Sequence, residues 1–189
     1  MLWLEIIPLL HPYFRLARIV RMKLEVSPIK PDELETFSEI LQEVARWLET
    51  AGQPLWLREV LEPEALLRKN TLDELFLGWL EGVPVATMIL QHEDIPFFPD
   101  DPPGEALYLH KLAVRRSAGG RGVSTAMLAW AQAYATKLGK QFLRLDTSAE
   151  RPKLNALYQN YGFCYIGFRQ VGGFDANLYE LELAHPQQS

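Results

Sequence analysis

Cysteine is almost missing from this 189-residue chain. Its single copy, Cys164, can close no intrachain disulfide and can build no cysteine-based zinc site. A reducing compartment follows, and the cytoplasm is the expected location. An excess of positive charge is missing too. Lys and Arg number 19 against 24 Asp and Glu, a formal net charge of -5. That balance argues against a nucleic-acid partner and suits a small or cationic one. The four histidines, His11, His92, His110 and His185, are scattered and none falls at metal-ligand spacing, so no metal is expected. Long apolar runs are also wanting. The stretch "MLWLEIIPLL" at 1–10 is broken by Glu5 and Pro8, whereas a spanning helix needs roughly 20 apolar residues. Arg15, Arg18 and Arg21 follow that stretch, while a secretory signal places its charge first. Stable membrane insertion is therefore not expected. Residues 1–21 read as an extension, either disordered or a short amphipathic helix. Residues 22–185 read as one domain.

What the chain does have is 48% hydrophobic residues, enough for a full core, and a clear alternation of patterns. "KLEVSPI" predicts a strand. Leu34, Phe37, Leu41, Val44 and Leu48 recur at spacings of three and four, one buried helical face that ends at Gly52-Gln53-Pro54. A second helical stretch is predicted over roughly 54–69. "DELFLGWLE" and "VPVATMILQH", joined through Glu81-Gly82, predict an antiparallel hairpin. The proline-dense segment 93–105 predicts a loop. Then come the strand "ALYLHKLAV", a helix over about 121–138 burying Val123, Ala126, Met127, Trp130 and Tyr134, and the strand "QFLRLDT". A helix opened by Pro152 and closed by Gly162 follows, and then two last strands. The fold class this order predicts is α/β. It has a single mixed, mostly antiparallel central sheet of about seven strands with helices on both faces.

The chemistry concentrates in "LHKLAVRRSAGGRGVSTAMLAWA", residues 109–131, where a strand breaks into glycines and resumes as a helix. Three readings compete. A tight turn needs nothing more than the glycines. A dinucleotide fingerprint needs a third glycine, absent after Gly120-Arg121-Gly122, and a phosphate loop needs a Gly-Lys-Ser/Thr that is also absent. A pyrophosphate cradle fits better. Glycines let backbone N–H groups approach a ligand, the following helix points its positive end there, and Ser124 adds a small hydroxyl. Arg115 and Arg116 add charge that suits phosphates.

That stretch, together with "LRLDTSAERPKLNALYQNYGF", resembles the GCN5-related N-acetyltransferase (GNAT) family over about 105–170 in motif and 22–183 in element order. The family's Gln/Arg-x-x-Gly-x-Gly/Ala pattern falls on Gly119, Gly120, Arg121, Gly122, Val123 and Ser124. Gly119 replaces the long side chain, and Ser124 replaces the last small residue. The resemblance implies a GNAT-like acyl-CoA N-acyltransferase fold. Acetyl-CoA would be the acyl donor and a primary amine of a small molecule or peptide the acceptor. Backbone groups of Leu112, Ala113 and Val114 would pair with the pantetheine arm. Tyr158 in "LYQNYGF" matches the family's general acid, which protonates the leaving thiolate; the competing reading is a core aromatic. Where the family often has an asparagine seven residues before that tyrosine, this chain has Arg151. Arg151 is assigned to a CoA phosphate, and Asn155, one turn on, is carried as a further cofactor contact. Homodimers are frequent in the family.

An acceptor ammonium must lose a proton before it attacks. By strand alternation His110 shares a face with Tyr108, Leu112 and Val114, and imidazole suits a base. A structural histidine is the equal alternative, and Glu93, Asp94 and Glu105 are substitutes. Trp47 and Trp56, around the Gly-Gln-Pro turn, are either core or walls of an acceptor pocket. A non-catalytic acyl-CoA sensor of the same fold is the second functional reading.

Overall fold

The computed structural model describes residues 23–184. The expectation for residues 1–21 lies outside them. Seven strands form one open sheet: β1 (Leu24–Pro28), β2 (Leu75–Leu80), β3 (Val83–Gln91), β4 (Ala106–Val114), β5 (Phe142–Ser148), β6 (Cys164–Val171) and β7 (Phe174–Glu182). Their order is β1-β2-β3-β4-β5-β7-β6. Only β4 and β5 pair in parallel, which requires a crossover, and the intervening α3 (Val123–Lys137) supplies it. The β2–β3 hairpin turns on Glu81 and Gly82, both with positive φ, the backbone that a two-residue hairpin loop demands.

Helices cover both faces. α1 (Leu34–Thr50) buries Phe37, Ile40, Leu41, Val44 and Ala45 against Leu75, Leu77, Ile89 and Ala113 of the sheet. On the opposite face α3 packs Val123, Met127, Leu128, Ala131 and Ala135 onto Phe76, Met88, Leu107, Leu109, Leu143 and Leu145. Ala126 is only partly buried. Gly78 in β2 allows this approach, because a Cβ there would lie 2.6 Å from the Met127 sulfur. α4 (Pro152–Tyr161) adds Tyr158 to the same core, and Gly162 ends it by donating its N–H to the carbonyls of Tyr158 and Gln159. The helix expected over 54–69 is not continuous. Two short pieces replace it, a 3-10 turn at Arg58–Leu61 and α2 (Pro63–Leu67). Proline cannot lie inside a helix without losing a hydrogen bond and holds the residue before it extended, and Glu62 is extended at ψ 148.

The proline-rich loop is held to the sheet by Arg144. Its guanidinium, on a residue only 8% exposed, meets the carboxylates of Asp101, Glu105 and Glu180. Tyr108 adds its hydroxyl to Asp101 at 2.6 Å. No described helix is long and apolar enough to cross a membrane.

Candidate active site

β4 and β5 part company. They pair only over Ala106–Tyr108 against Phe142–Arg144. Beyond that, β4 runs on to Val114 paired with β3 alone, and β5 runs on to Ser148 paired with β7 alone. A wedge opens between them, and the β5-facing backbone edge of Leu112, Ala113 and Val114 lines one side without a strand partner. Gly119, Gly120 and Gly122 lie just past the end of β4. Gly120 and Gly122 have φ of +73° and +79°, and a Cβ at either would meet no atom within 4 Å. Both face open space with only backbone exposed. Gly122 is also the first cap of α3, so the N–H groups of Val123, Ser124 and Thr125 have no carbonyl partner inside the helix. The Val123 side chain is buried in the core, which leaves that residue only its backbone to offer a ligand. Arg121 is exposed and Ser124 partly so. Gly119 has an ordinary φ of -61°. A Cβ there would come within 3.1 Å of the Arg116 carbonyl, so a side chain would crowd the turn.

The two arginines before the cradle are committed elsewhere. Arg115 pairs with Glu43 of α1 and donates to the Pro84 carbonyl at 3.1 Å. Arg116 lies over the Trp47 ring at 4.2 Å. Trp47 thus stacks against the turn that leads into the glycines. Trp56 lies beneath the Lys111 ammonium, which is 5.5 Å from the ring centroid.

At the fork of the wedge three side chains from three elements converge. His110 of β4 has Asp146 of β5 3.5 Å from its Nδ1, and Asp94 of the proline-rich loop 3.7 Å from its Nε2. Asp94 is 8% exposed, and neither its Oδ2 nor the His110 Nε2 has a hydrogen-bond partner among the described residues. Burial, and in smaller part the charge of Asp146, pushes the Asp94 carboxyl up to about 6, against the opposing pull of His110. One donor atom from each of the three lies within 4.8 Å of the others, a set able to hold a divalent ion. Chain spacing gave no sign of it, because the donors come from a loop and two different strands.

A β-bulge corrects the face assigned to His110. Thr87 pairs with Ala113 but Ile89 pairs with His110, so Lys111 and Leu112 together oppose Met88. Lys111 takes a φ of +47°. Tyr108 packs with Phe98 and Leu178, while Leu112 and Val114 pack with the α3 core on the other face. Simple alternation fails at this point.

Tyr158 is 6% exposed, edge-on to Phe163 at 5.8 Å between ring centroids. Burial first, and the Asp146 carboxylate second, push its phenol well above the ordinary tyrosine value, so it keeps its proton near neutrality. It therefore carries a proton, though burial makes it a weaker acid than an exposed phenol.

A model of the acetyltransferase (GNAT) family matches residues 39–163, well over half of the chain. The chain belongs to this family. An uncharacterized N-acetyltransferase of Bacillus subtilis strain 168, YesJ, is 25% identical over 169 residues, covering 82% of this chain and 88% of that one. The crystal structure of a GNAT-family acetyltransferase from Listeria monocytogenes 4b F2365 superposes with a TM-score of 0.71 at 25% identity, over 86% of this chain and 96% of that one. The PaiA N-acetyltransferase of Thermoplasma acidophilum, solved with coenzyme A, has a TM-score of 0.66 at 17% identity, over 85% and 99%. That last likeness shows the fold alone.

Two of the residues assigned to the cofactor have other work in this GNAT chain. Asn155 donates to the carbonyls of Ser148 and Arg151 at 2.9 and 2.7 Å, and accepts from Asn177 and the Tyr179 hydroxyl at 3.1 and 2.9 Å. All four of its hydrogen-bonding positions are used, so no capacity is left for a ligand. Arg151 donates to the carbonyls of Gln53 and Pro54 at 2.6 Å each, which ties the turn after α1 to the start of α4. Those bonds use only one guanidinium nitrogen of Arg151.

Proposed function

We propose that this chain transfers an acetyl group from acetyl-CoA directly to a primary amine, in the cytoplasm. The observation that carries the reading is the wedge between β4 and β5, with a glycine cradle at one end and the Asp94–His110–Asp146 cluster at its fork. In this reading the diphosphate takes the backbone N–H groups around Gly120, Gly122 and Ser124, and the pantetheine arm runs along Leu112–Val114. His110 accepts the proton that the acceptor ammonium must shed. The amine nitrogen then bonds to the thioester carbonyl carbon and the C–S bond breaks. Tyr158 gives its proton to the departing thiolate and regains one from the second proton that the acylated nitrogen sheds. His110 releases its proton to solvent, so the products are an N-acetylated amine, free coenzyme A and one proton. No covalent acyl-enzyme is required, and the exposed Cys164 lies on β6 with no assigned part.

Calorimetric titration with acetyl-CoA is the test. One-to-one binding is expected, and no binding at millimolar ligand, the upper end of ordinary substrate affinities, overturns the reading. A non-catalytic acyl-CoA sensor is the second reading, favoured by the commitment of Arg151 and Asn155 to the scaffold. Binding without thiol release from any amine would establish it.

A further inference from the structure

Lys111 is the most unusual residue of β4. Left-handed backbone costs about 1–2 kcal/mol for a residue with a Cβ, and strain of this kind collects at working sites. Its effect here is spatial. Consecutive residues of a regular strand point to opposite faces. The bulge sets the Lys111 ammonium 5.5 Å from the centroid of Trp56, on the face where α1 packs, and within the field of Asp146. His110 and Lys111, neighbours in the chain, thus both lie near Asp146.

The Lys111 ammonium makes no ion pair among the described residues. It is partly buried, with the carboxylate of Asp146 and the like charge of Lys69 both within its field. A partly buried cation beside a second cation, over an aromatic face, calls for an anion. One residue away, two carboxylates flank an imidazole and call for a cation that can give up a proton. We propose that the acceptor is an amine carrying its own carboxylate, an α-amino acid or close analogue. Its carboxylate meets Lys111 over Trp56, and its amino group meets His110 between Asp94 and Asp146. This rests on the acetyl-transfer reading and names the substrate class for it.

The test pairs each of the twenty L-α-amino acids with its α-amide and follows two readouts. One is binding to the protein saturated with coenzyme A, by saturation-transfer NMR; the other is thiol release from acetyl-CoA. At least one amino acid is expected to bind more tightly than its amide by on the order of tenfold or more, the scale of one hydrogen bond to a charged group. Lys111→Asn, which tolerates positive φ, removes that preference, and Lys111→Arg keeps it. Amides that bind as well as the acids, absence of amino-acid binding, or an undiminished preference in Lys111→Asn each overturn the proposal. Transfer to amines without carboxylate preference overturns it and leaves acetyl transfer standing. Carboxylate-dependent binding with no thiol release does the reverse.

Discussion

Replacing Asp94 by Asn should make the protein more stable at alkaline pH. The carboxyl is 8% exposed, and burial carries it from the ordinary 3.8 to about 6. That displacement corresponds to about 3 kcal/mol. The folded state holds a proton at Asp94 that the unfolded chain has already released between those two values. Stability from this group is therefore complete below about pH 4, falls as pH rises, and is lost above about pH 6. An amide of the same shape never ionises. Asp94→Asn should match the parent near pH 4 and exceed it by up to about 3 kcal/mol at pH 8. Urea unfolding followed by tryptophan fluorescence at intervals from pH 4 to pH 8 measures the difference. A variant less stable than the parent at pH 8, or a difference that does not change with pH, refutes the reasoning. The same variant should transfer acetyl groups more slowly, which would make the buried charge a stability cost retained for function.

Three further outcomes are expected. Gly122→Ala forces a Cβ into a φ of +79° with nothing to clash against, so stability should fall by about 1 kcal/mol and acetyl-CoA affinity should fall with it in a calorimetric titration. His110→Ala should lower kcat with acetyl-CoA affinity unchanged; a parental kcat returns His110 to a structural role. Arg144→Met leaves Asp101, Glu105 and Glu180 without their shared cation, and a loss of about 3–5 kcal/mol is expected in chemical denaturation.

The strand that carries the site and the glycine turn after it could be read from residues 106–124, because both depend on local pattern: an apolar run, then glycines at positions that need positive φ. His110 was legible as a candidate for the same reason. Its partners were not. Asp146 sits in "LRLDT", which reads as an ordinary strand, and meets His110 only because β4 and β5 are parallel neighbours joined through α3. Asp94 looks like one more acid in a solvated loop until Arg144 binds that loop down and buries it. The bulge at Lys111 has no sequence mark at all, since lysine is not a residue that favours positive φ. The scaffold contacts of Arg151 and Asn155 were hidden for a related reason. Their partners, Gln53, Pro54, Asn177 and Tyr179, are remote in the chain and come within reach only in the folded domain.

The central claim is that acetyl groups leave coenzyme A for an amine at this fork, with Tyr158 supplying the thiolate's proton. Thiol release from acetyl-CoA across a panel of primary amines, for the parent and Tyr158→Phe, tests it most directly. The account predicts amine-dependent release in the parent and a loss of roughly 100-fold or more in Tyr158→Phe, the scale of one positioned general acid, with acetyl-CoA still bound. Release at parental rate from Tyr158→Phe, or binding of acetyl-CoA with no release from any amine, would contradict it.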